Sequence, residues 1–462
     1  MDGCIWADCF RSAALFRARP SWSSRWIPSP ARPSSHGGDW AIQAYNRHLT
    51  GGGQLGYAGE VLDRNGVVLA YSQDGQRHYN SDLEIREACL HAVGDTNGFI
   101  STGVQTQYKT ELSGYNFLTG LFSPTGEVTG HNVTLTLDSS LQKLALQQFN
   151  GRRGAAIIYN YKSGEILCMV STPTFDPSDP PSDLDSNPQY EGAYLNRVLS
   201  STYTPGSIFK IVTTAAALES IPNLDTRQFQ CNGSITVDNN EITCLSHHGA
   251  ITMQEGLAKS CNIVFAELAM ELGAEKMTAM AEKMGFGQSF EVDGIPTSVS
   301  QYNVDGATQN ELGWSGIGQY TDTVNPCHMA ILMGAIANGG TPVIPYYVGS
   351  VSGPFGFPLH RGHPTWGDEL VDETLAGKLE ALLRYDVTSD YGDDMFPGMA
   401  VCAKTGTAEV GGGKKPNGWI VGYSSNDSTP YAFAVVVEEG NYGISSAGRI
   451  ASALMSAAPQ AE

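Results

Sequence analysis

A long apolar run is the first thing this sequence lacks. The best candidate near its start, Ala13-Ala14-Leu15-Phe16, sits between charged Arg11 and Arg17. A helix that crosses a bilayer needs ~20 apolar residues, so neither a membrane span nor a signal peptide is read here. Positive charge is the second lack. A formal net charge of −20 excludes a nucleic-acid partner, which would call for a basic face. Cysteine is the third. Nine cysteines in 462 residues include no Cys-x-x-Cys pair, the spacing typical of a metal or redox centre. Cys231 and Cys244 flank a hairpin-like stretch and are placed to pair across it in an oxidising compartment, although two buried thiols are the favoured reading. The adjacent His247 and His248 are read as structural, because chain neighbours seldom converge on one ion and no third ligand has suitable spacing. Ordinary apolar and charged fractions with abundant glycine describe a loop-rich globular chain of roughly two domains.

Residues 1–37 differ from all that follows. They hold five arginines, no lysine and three tryptophans among many Ser and Pro, and no structure is assigned to them. A helix is expected over Trp40–Leu49. Asn65-Gly66 marks a hairpin turn between residues 59 and 70. Residues 75–130 read as loop-rich. Val133–Leu137 alternates as a strand, and Asp138 caps a helix running to Phe149. Ala155–Tyr159 and Glu165–Ser171 are apolar runs forming a hairpin expected at the centre of a sheet. Met253–Gly273 is expected as one helix that contains Ser260-Cys261-Asn262. Further helices are read from Glu275 to Met284, Asn325 to Asn338 and Thr374 to Tyr385. Strands follow at 400–409, 418–423 and 431–438, with a last helix at 447–458.

The chemistry centres on Thr204-Pro205-Gly206-Ser207-Ile208-Phe209-Lys210. Pro205 and Gly206 punctuate a helix entry, and the apolar residues after Lys210 predict a buried helix. Residues three apart share a helix face, so Lys210 stands beside Ser207. The first turn offers N–H groups and the positive end of the dipole to a charge developing at Ser207. A serine needs a base to act as nucleophile. A lysine becomes one only when burial and a second positive group strip its proton. Ser-x-x-Lys alone is weak evidence, and Ser140-Leu141-Gln142-Lys143 is a decoy on an amphipathic helix.

Ser207-x-x-Lys210, Ser260-Cys261-Asn262 and Lys404-Thr405-Gly406, in this order, resemble the active-site set of penicillin-binding proteins and serine β-lactamases. Asp63-Arg64-Asn65-Gly66, Leu135-Thr136-Leu137-Asp138, Gly316-Ile317-Gly318-Gln319 and Lys404-Thr405-Gly406-Thr407-Ala408-Glu409 narrow the resemblance to the monofunctional, class B transpeptidases, and to their shorter, Gram-positive-type members. The resemblance covers about residues 40–460. It implies an α+β fold: a small pedestal or dimerisation-like domain at 39–130, then a transpeptidase domain at 131–462 with a five-stranded antiparallel sheet between helical regions. Residues 1–38 would stand apart as a disordered segment.

Residue by residue, the resemblance makes Ser207 the nucleophile and Lys210 its general base. Ser260 relays a proton to the leaving group, and Asn262 holds Lys210 or the substrate amide. Lys404 supplies the second positive charge. Thr405 and Thr407, flanking Gly406, hold the substrate's terminal carboxylate, and the backbone N–H groups of Ser207 and Thr407 form the oxyanion hole. The implied reaction cross-links peptidoglycan stem peptides through an acyl-enzyme for cell shape or division. It needs no metal and no cofactor, and β-lactams inhibit it. A membrane glycosyltransferase is the implied partner. The implied location is the extracytoplasmic face of the bacterial cell membrane. Family members carry an N-terminal anchor that residues 1–37 do not resemble, so an incorrect start or an upstream frame error is expected, the alternative being a protein secreted or retained by other means. The nearest rival is a β-lactamase or D,D-carboxypeptidase that hands the acyl group to water. A class A β-lactamase would need a glutamate after Ser260–Asn262, whereas the only similar stretch, at Glu191–Asn196, precedes Ser207. A non-catalytic sensor is the remaining reading, and intact Ser207, Lys210 and Lys404 argue against it.

Overall fold

The computed structural model describes residues 55–114, 130–353 and 356–459. The expected helix at Trp40–Leu49 and the segment 1–38 lie outside the described residues.

A five-stranded antiparallel sheet organises the molecule. Its strands are β1 (Gly154–Asn160), β2 (Ile166–Thr172), β3 (Val401–Ala408), β4 (Asn417–Ser424) and β5 (Tyr431–Val437), in the spatial order β3-β4-β5-β1-β2. Successive side chains on a strand point to opposite faces, and the two faces feed two cores. Ala156, Ile158, Phe433 and Val435 pack under α1 (Ser139–Phe149) and the last helix, Ala447–Ala457. Ile157, Tyr159, Ala434 and Val436 face the opposite core with α2 (Lys210–Ser220) and the helix Pro326–Ala337. Both faces are therefore covered, which is why these strands are apolar runs rather than alternating ones.

The β1–β2 hairpin is not central as expected: β2 is an edge strand. Its apolar character has another cause, because the edge itself is sealed. The buried Gln142 side chain accepts from Met169 N–H at 2.6 Å and donates to Met169 C=O at 3.1 Å. Asp138 N–H donates to Leu167 C=O at 2.9 Å, and Ile166 N–H donates to Tyr346 C=O at 2.9 Å. A run buried on both faces reads the same in sequence whether its edge is paired by a strand or by side chains.

A six-stranded sheet forms the second layer, in the order 358–361, 348–352, 132–135, 61–62, 68–73, 76–79. Two of these strands come from late in the chain, so the layer is assembled from two distant segments. Asp63 ties it to the five-stranded part. Fully buried, it accepts from Asn65 N–H and Val67 N–H at 2.8 Å each, and from Ser139 N–H at 3.1 Å and Ser139 Oγ at 2.6 Å. Asp138 caps the same helix by accepting from Ser140 and Leu141 N–H. The stretch read as loop between 75 and 130 holds a strand at Gln76–Tyr79 and four short helices between Leu83 and Leu112. Helices of four to six residues are too short to show a period.

The expected helix Met253–Gly273 is two helices. Met253–Ala258 stops, and a second runs from Asn262 to Lys283 with a kink at Gly273. Ser260 lies in the break at a φ of +51°, a left-handed conformation that costs a non-glycine residue roughly 1–3 kcal/mol. The decoy Lys143 pairs at the surface with Asp82 at 2.6 Å and Glu84 at 2.9 Å.

Candidate active site

Ser207 lies in a 3₁₀ turn, Gly206–Phe209, that leads into α2. Gly206 is required there. Its φ is +57°, and a Cβ would stand 2.6 Å from Thr407 C=O. Gly206 N–H donates to Gly318 C=O at 2.8 Å. Gly318 is itself at positive φ, and a Cβ on it would fall 2.1 Å from Gly206 C=O. The turn is thus clamped between β3 and the Gly316–Gln319 loop, with backbone in contact on both sides.

Lys210 is fully buried. Its Nζ lies 3.0 Å from Ser207 Oγ, 3.1 Å from Ser260 Oγ, 2.6 Å from Ser260 C=O and 2.9 Å from Asn262 Oδ1. Ser260's left-handed backbone turns its carbonyl onto this amine while its hydroxyl keeps the same reach, which explains the broken helix. Burial first, and the positive charge of Lys404 second, bring the Lys210 amine down to about 7. A neutral amine at that position has a lone pair for the Ser207 proton.

Lys404 is equally buried, yet its affinity for a proton is raised. Burial opposes its charge, but Asp386 and Tyr391 outweigh burial. Asp386 Oδ2 lies 3.3 Å from Lys404 Nζ, and Tyr391 OH also lies 3.3 Å from it. Burial pushes the Asp386 carboxyl up to about 7, against the pull of Lys404. Tyr391 OH further contacts Asp386 Oδ2 at 3.1 Å and Thr405 Oγ1 at 3.0 Å, and accepts from Thr405 N–H at 3.0 Å. Burial raises this phenol to about 12, keeping it protonated.

The edge of β3 faces the site. The Thr405 N–H points off the sheet to Tyr391, and residues two apart on a strand point the same way, so the Thr407 N–H leaves the same edge. Gly406 packs tightly behind, where a Cβ would stand 3.0 Å from both Ile208 Cγ2 and Pro205 C=O. An open cleft is lined by Ser207, Ser260, Asn262, Thr405, Gly406 and Thr407, with Asp390 and Glu409 at its walls. Lys210 and Lys404 sit behind this lining. All eight residues singled out in the sequence therefore converge on one place. Glu191, the residue considered as a water activator, pairs instead with Arg153 at 2.9 Å and is largely exposed.

Asp386 and Tyr391 were not foreseen. The available signal was a carboxylate on an apolar stripe: Leu375, Leu379, Leu383 and Asp386 share the buried face of the helix Glu373–Asp386. Tyr391 ends a π-helical turn, 387–391, a local geometry common at functional sites. Nor were the cysteines read together. Cys231 and Cys244 form no disulfide, and with Cys261 and His248 they make a group of metal-ligating side chains.

A serine activated by a buried lysine, facing the edge of a five-stranded antiparallel sheet, defines an active-serine acyltransferase of the penicillin-interacting kind. The chain belongs to the penicillin binding protein transpeptidase domain family, whose model matches residues 154–456. Peptidoglycan D,D-transpeptidase PbpA of Mycolicibacterium smegmatis is 30% identical over 431 residues, 84% of this chain and 85% of that protein. Stage V sporulation protein D of Bacillus subtilis is 30% identical over 379 residues, 76% of this chain and 57% of that one. Among solved structures, the ceftriaxone acyl-enzyme of penicillin-binding protein A from M. tuberculosis superposes with a TM-score of 0.76 at 25% identity, covering 87% of this chain and 98% of that one. The D,D-transpeptidase domain of an Eggerthella lenta peptidoglycan glycosyltransferase gives 0.74 at 28%, covering 86% and 97%.

Proposed function

We propose that this chain is a peptidoglycan D,D-transpeptidase acting through a Ser207 acyl-enzyme. One observation carries the reading: a fully buried Lys210 whose Nζ stands 3.0 Å from Ser207 Oγ. Ser207 Oγ attacks the carbonyl of the D-Ala–D-Ala amide while its proton passes to neutral Lys210. The oxyanion lies between the N–H groups of Ser207 and Thr407. Ser260, also bonded to Lys210, passes a proton to the departing D-alanine amine. Thr405 and Thr407 hold the terminal carboxylate, with the charge of Lys404 behind them. The amine of a neighbouring stem then takes the acyl group and frees Ser207. A β-lactam, which mimics the dipeptide, acylates the same oxygen; the acyl-enzyme of the M. tuberculosis relative supports this.

The finer reading places the enzyme on the extracytoplasmic face of the cell membrane beside a membrane glycosyltransferase. Its support is the cell-wall role named for the relatives; no helix among the described residues is long and apolar enough to cross a membrane.

The test is acylation by a fluorescent penicillin with peptide mapping, on the wild type and on Ser207→Ala. A stable adduct on Ser207 that the variant lacks is expected, together with cross-linking of a stem-peptide pair. Rapid turnover of the penicillin without an adduct would replace the transpeptidase by a hydrolase. No reaction with either would leave a sensor.

A further inference from the structure

Three cysteines and a histidine with no part in the acyl chemistry stand together behind the Ser260–Asn262 wall. Cys231 ends the strand Phe229–Cys231, Cys244 follows the strand Asn240–Thr243, His248 lies in the next loop, and Cys261 is the middle residue of the wall motif. One ligand atom from each lies within 4.8 Å of all the others. Cys244 Sγ is 3.9 Å from Cys261 Sγ and 3.6 Å from His248 Nδ1.

A tetrahedral zinc ion with Zn–S near ~2.3 Å and Zn–N near ~2.0 Å sets its ligand atoms about 3.8 Å apart for S–S and about 3.5 Å for S–N. Both of those contacts already have tetrahedral lengths. A disulfide needs an S–S distance of about 2.05 Å, little more than half of what Cys244 and Cys261 show, and it would leave one thiol and the imidazole over. Cys231 and Cys261 are buried while Cys244 and His248 are half-buried, so the group is shielded yet within reach of an ion from solvent. Three thiolates and one imidazole select a soft or borderline ion over calcium or magnesium.

We propose that Cys231, Cys244, His248 and Cys261 bind one zinc ion that pins the Ser260–Asn262 wall to the hairpin at 234–243. Four protein ligands close the tetrahedron, so the ion is structural, with no open position for substrate. On binding, the three thiols release three protons to solvent as three Zn–S bonds form, and the imidazole contributes a nitrogen lone pair. The link to the active site is short. Asn262 donates its N–H to Cys244 Sγ at 3.4 Å and its Nδ2–H to Thr243 C=O at 2.8 Å, while its Oδ1 contacts Lys210 Nζ at 2.9 Å. Cys261 lies between the two residues that contact Lys210, so the ion fixes the wall from behind.

The test uses the full chain, purified without added metal. Elemental analysis should find one zinc per chain. Exchange for cobalt(II) should give the intense visible bands of a tetrahedral ion and a thiolate-to-cobalt charge-transfer band. Cys231→Ser should lower the bound zinc by about tenfold or more and slow acylation by fluorescent penicillin. His248→Cys, which keeps four ligands, should hold both metals and strengthen the charge-transfer band. Wild-type protein that holds no zinc and takes up no cobalt would overturn the proposal. So would a disulfide among these cysteines, or stoichiometric zinc retained in Cys231→Ser. Metal content and cobalt spectrum read the site whether or not the chain is a transpeptidase.

Discussion

Two lysines, both fully buried in one cleft, hold their protons with opposite strength. Burial disfavours the charge of each. The difference lies in their neighbours: Lys210 meets oxygens of Ser207, Ser260 and Asn262, whereas Lys404 also has the carboxylate of Asp386. This contrast supports the proposed reading, in which Lys210 is the base and Lys404 the fixed charge. The sign of the pH dependence follows. Below about 7 Lys210 carries its proton and cannot accept another, so the second-order acylation rate should fall about tenfold per pH unit there and level off above. Stopped-flow acylation across the neutral range checks this, and a flat profile would remove Lys210 as base. Asp386→Ala would leave Lys404 buried without its counter-charge. Breaking such a pair costs about 3–5 kcal/mol, so urea unfolding should show a loss of that size. Tyr391→Phe removes a hydroxyl that serves Thr405 N–H, Thr405 Oγ1, Lys404 and Asp386. It should cost about 1–3 kcal/mol in stability and slow acylation, because both the edge of β3 and Thr405 lose their anchor.

Elements were legible in the sequence where one period or one cap fixed them, and illegible where a tertiary contact did. Asp138 announces α1, and the strands at 400–409, 418–423 and 431–438 match β3, β4 and β5 to within two residues at their ends. The convergence of Ser207, Lys210, Ser260, Asn262 and Lys404–Thr407 on one cleft was legible too, because order and spacing single these residues out. What stayed hidden depends on partners far away in the chain. The break at Ser260 follows from the needs of Lys210, 50 residues earlier. The proposed zinc ligands come from a strand end at Cys231, the loop that holds Cys244 and His248, and the helix start at Cys261, so no single local spacing marks all four. The edge position of β2 is masked by Gln142. Replacing Gln142 by Leu keeps the volume but leaves Met169 N–H and C=O buried and unpaired, at about 1–3 kcal/mol each. Thermal unfolding should move down accordingly, while acylation per folded molecule stays at the wild-type rate, since β2 is the strand farthest from the Ser207 cleft.

At the scale of the molecule, the six-stranded layer and the five-stranded sheet are joined at the Asp63 turn. The carboxylate serves both sides: Oδ1 takes the N–H groups of Asn65 and Val67 in the turn, and Oδ2 takes the N–H and hydroxyl of Ser139 at the start of α1. α1 in turn carries Gln142, which seals β2, so a change at Asp63 reaches the sheet through one helix. Asp63→Asn keeps the shape and alters the chemistry. An amide can satisfy the turn through its oxygen, but its NH₂ then faces the Ser139 N–H, donor against donor. Its destabilisation should be about 1–3 kcal/mol, read by urea unfolding. The active site hangs on β3, α2 and the Ser260 wall, none of which touches Asp63. Fluorescent-penicillin labelling of the folded fraction should therefore keep its wild-type rate, and a labelling rate that fell with stability would show the two layers coupled through the catalytic cleft rather than joined at α1.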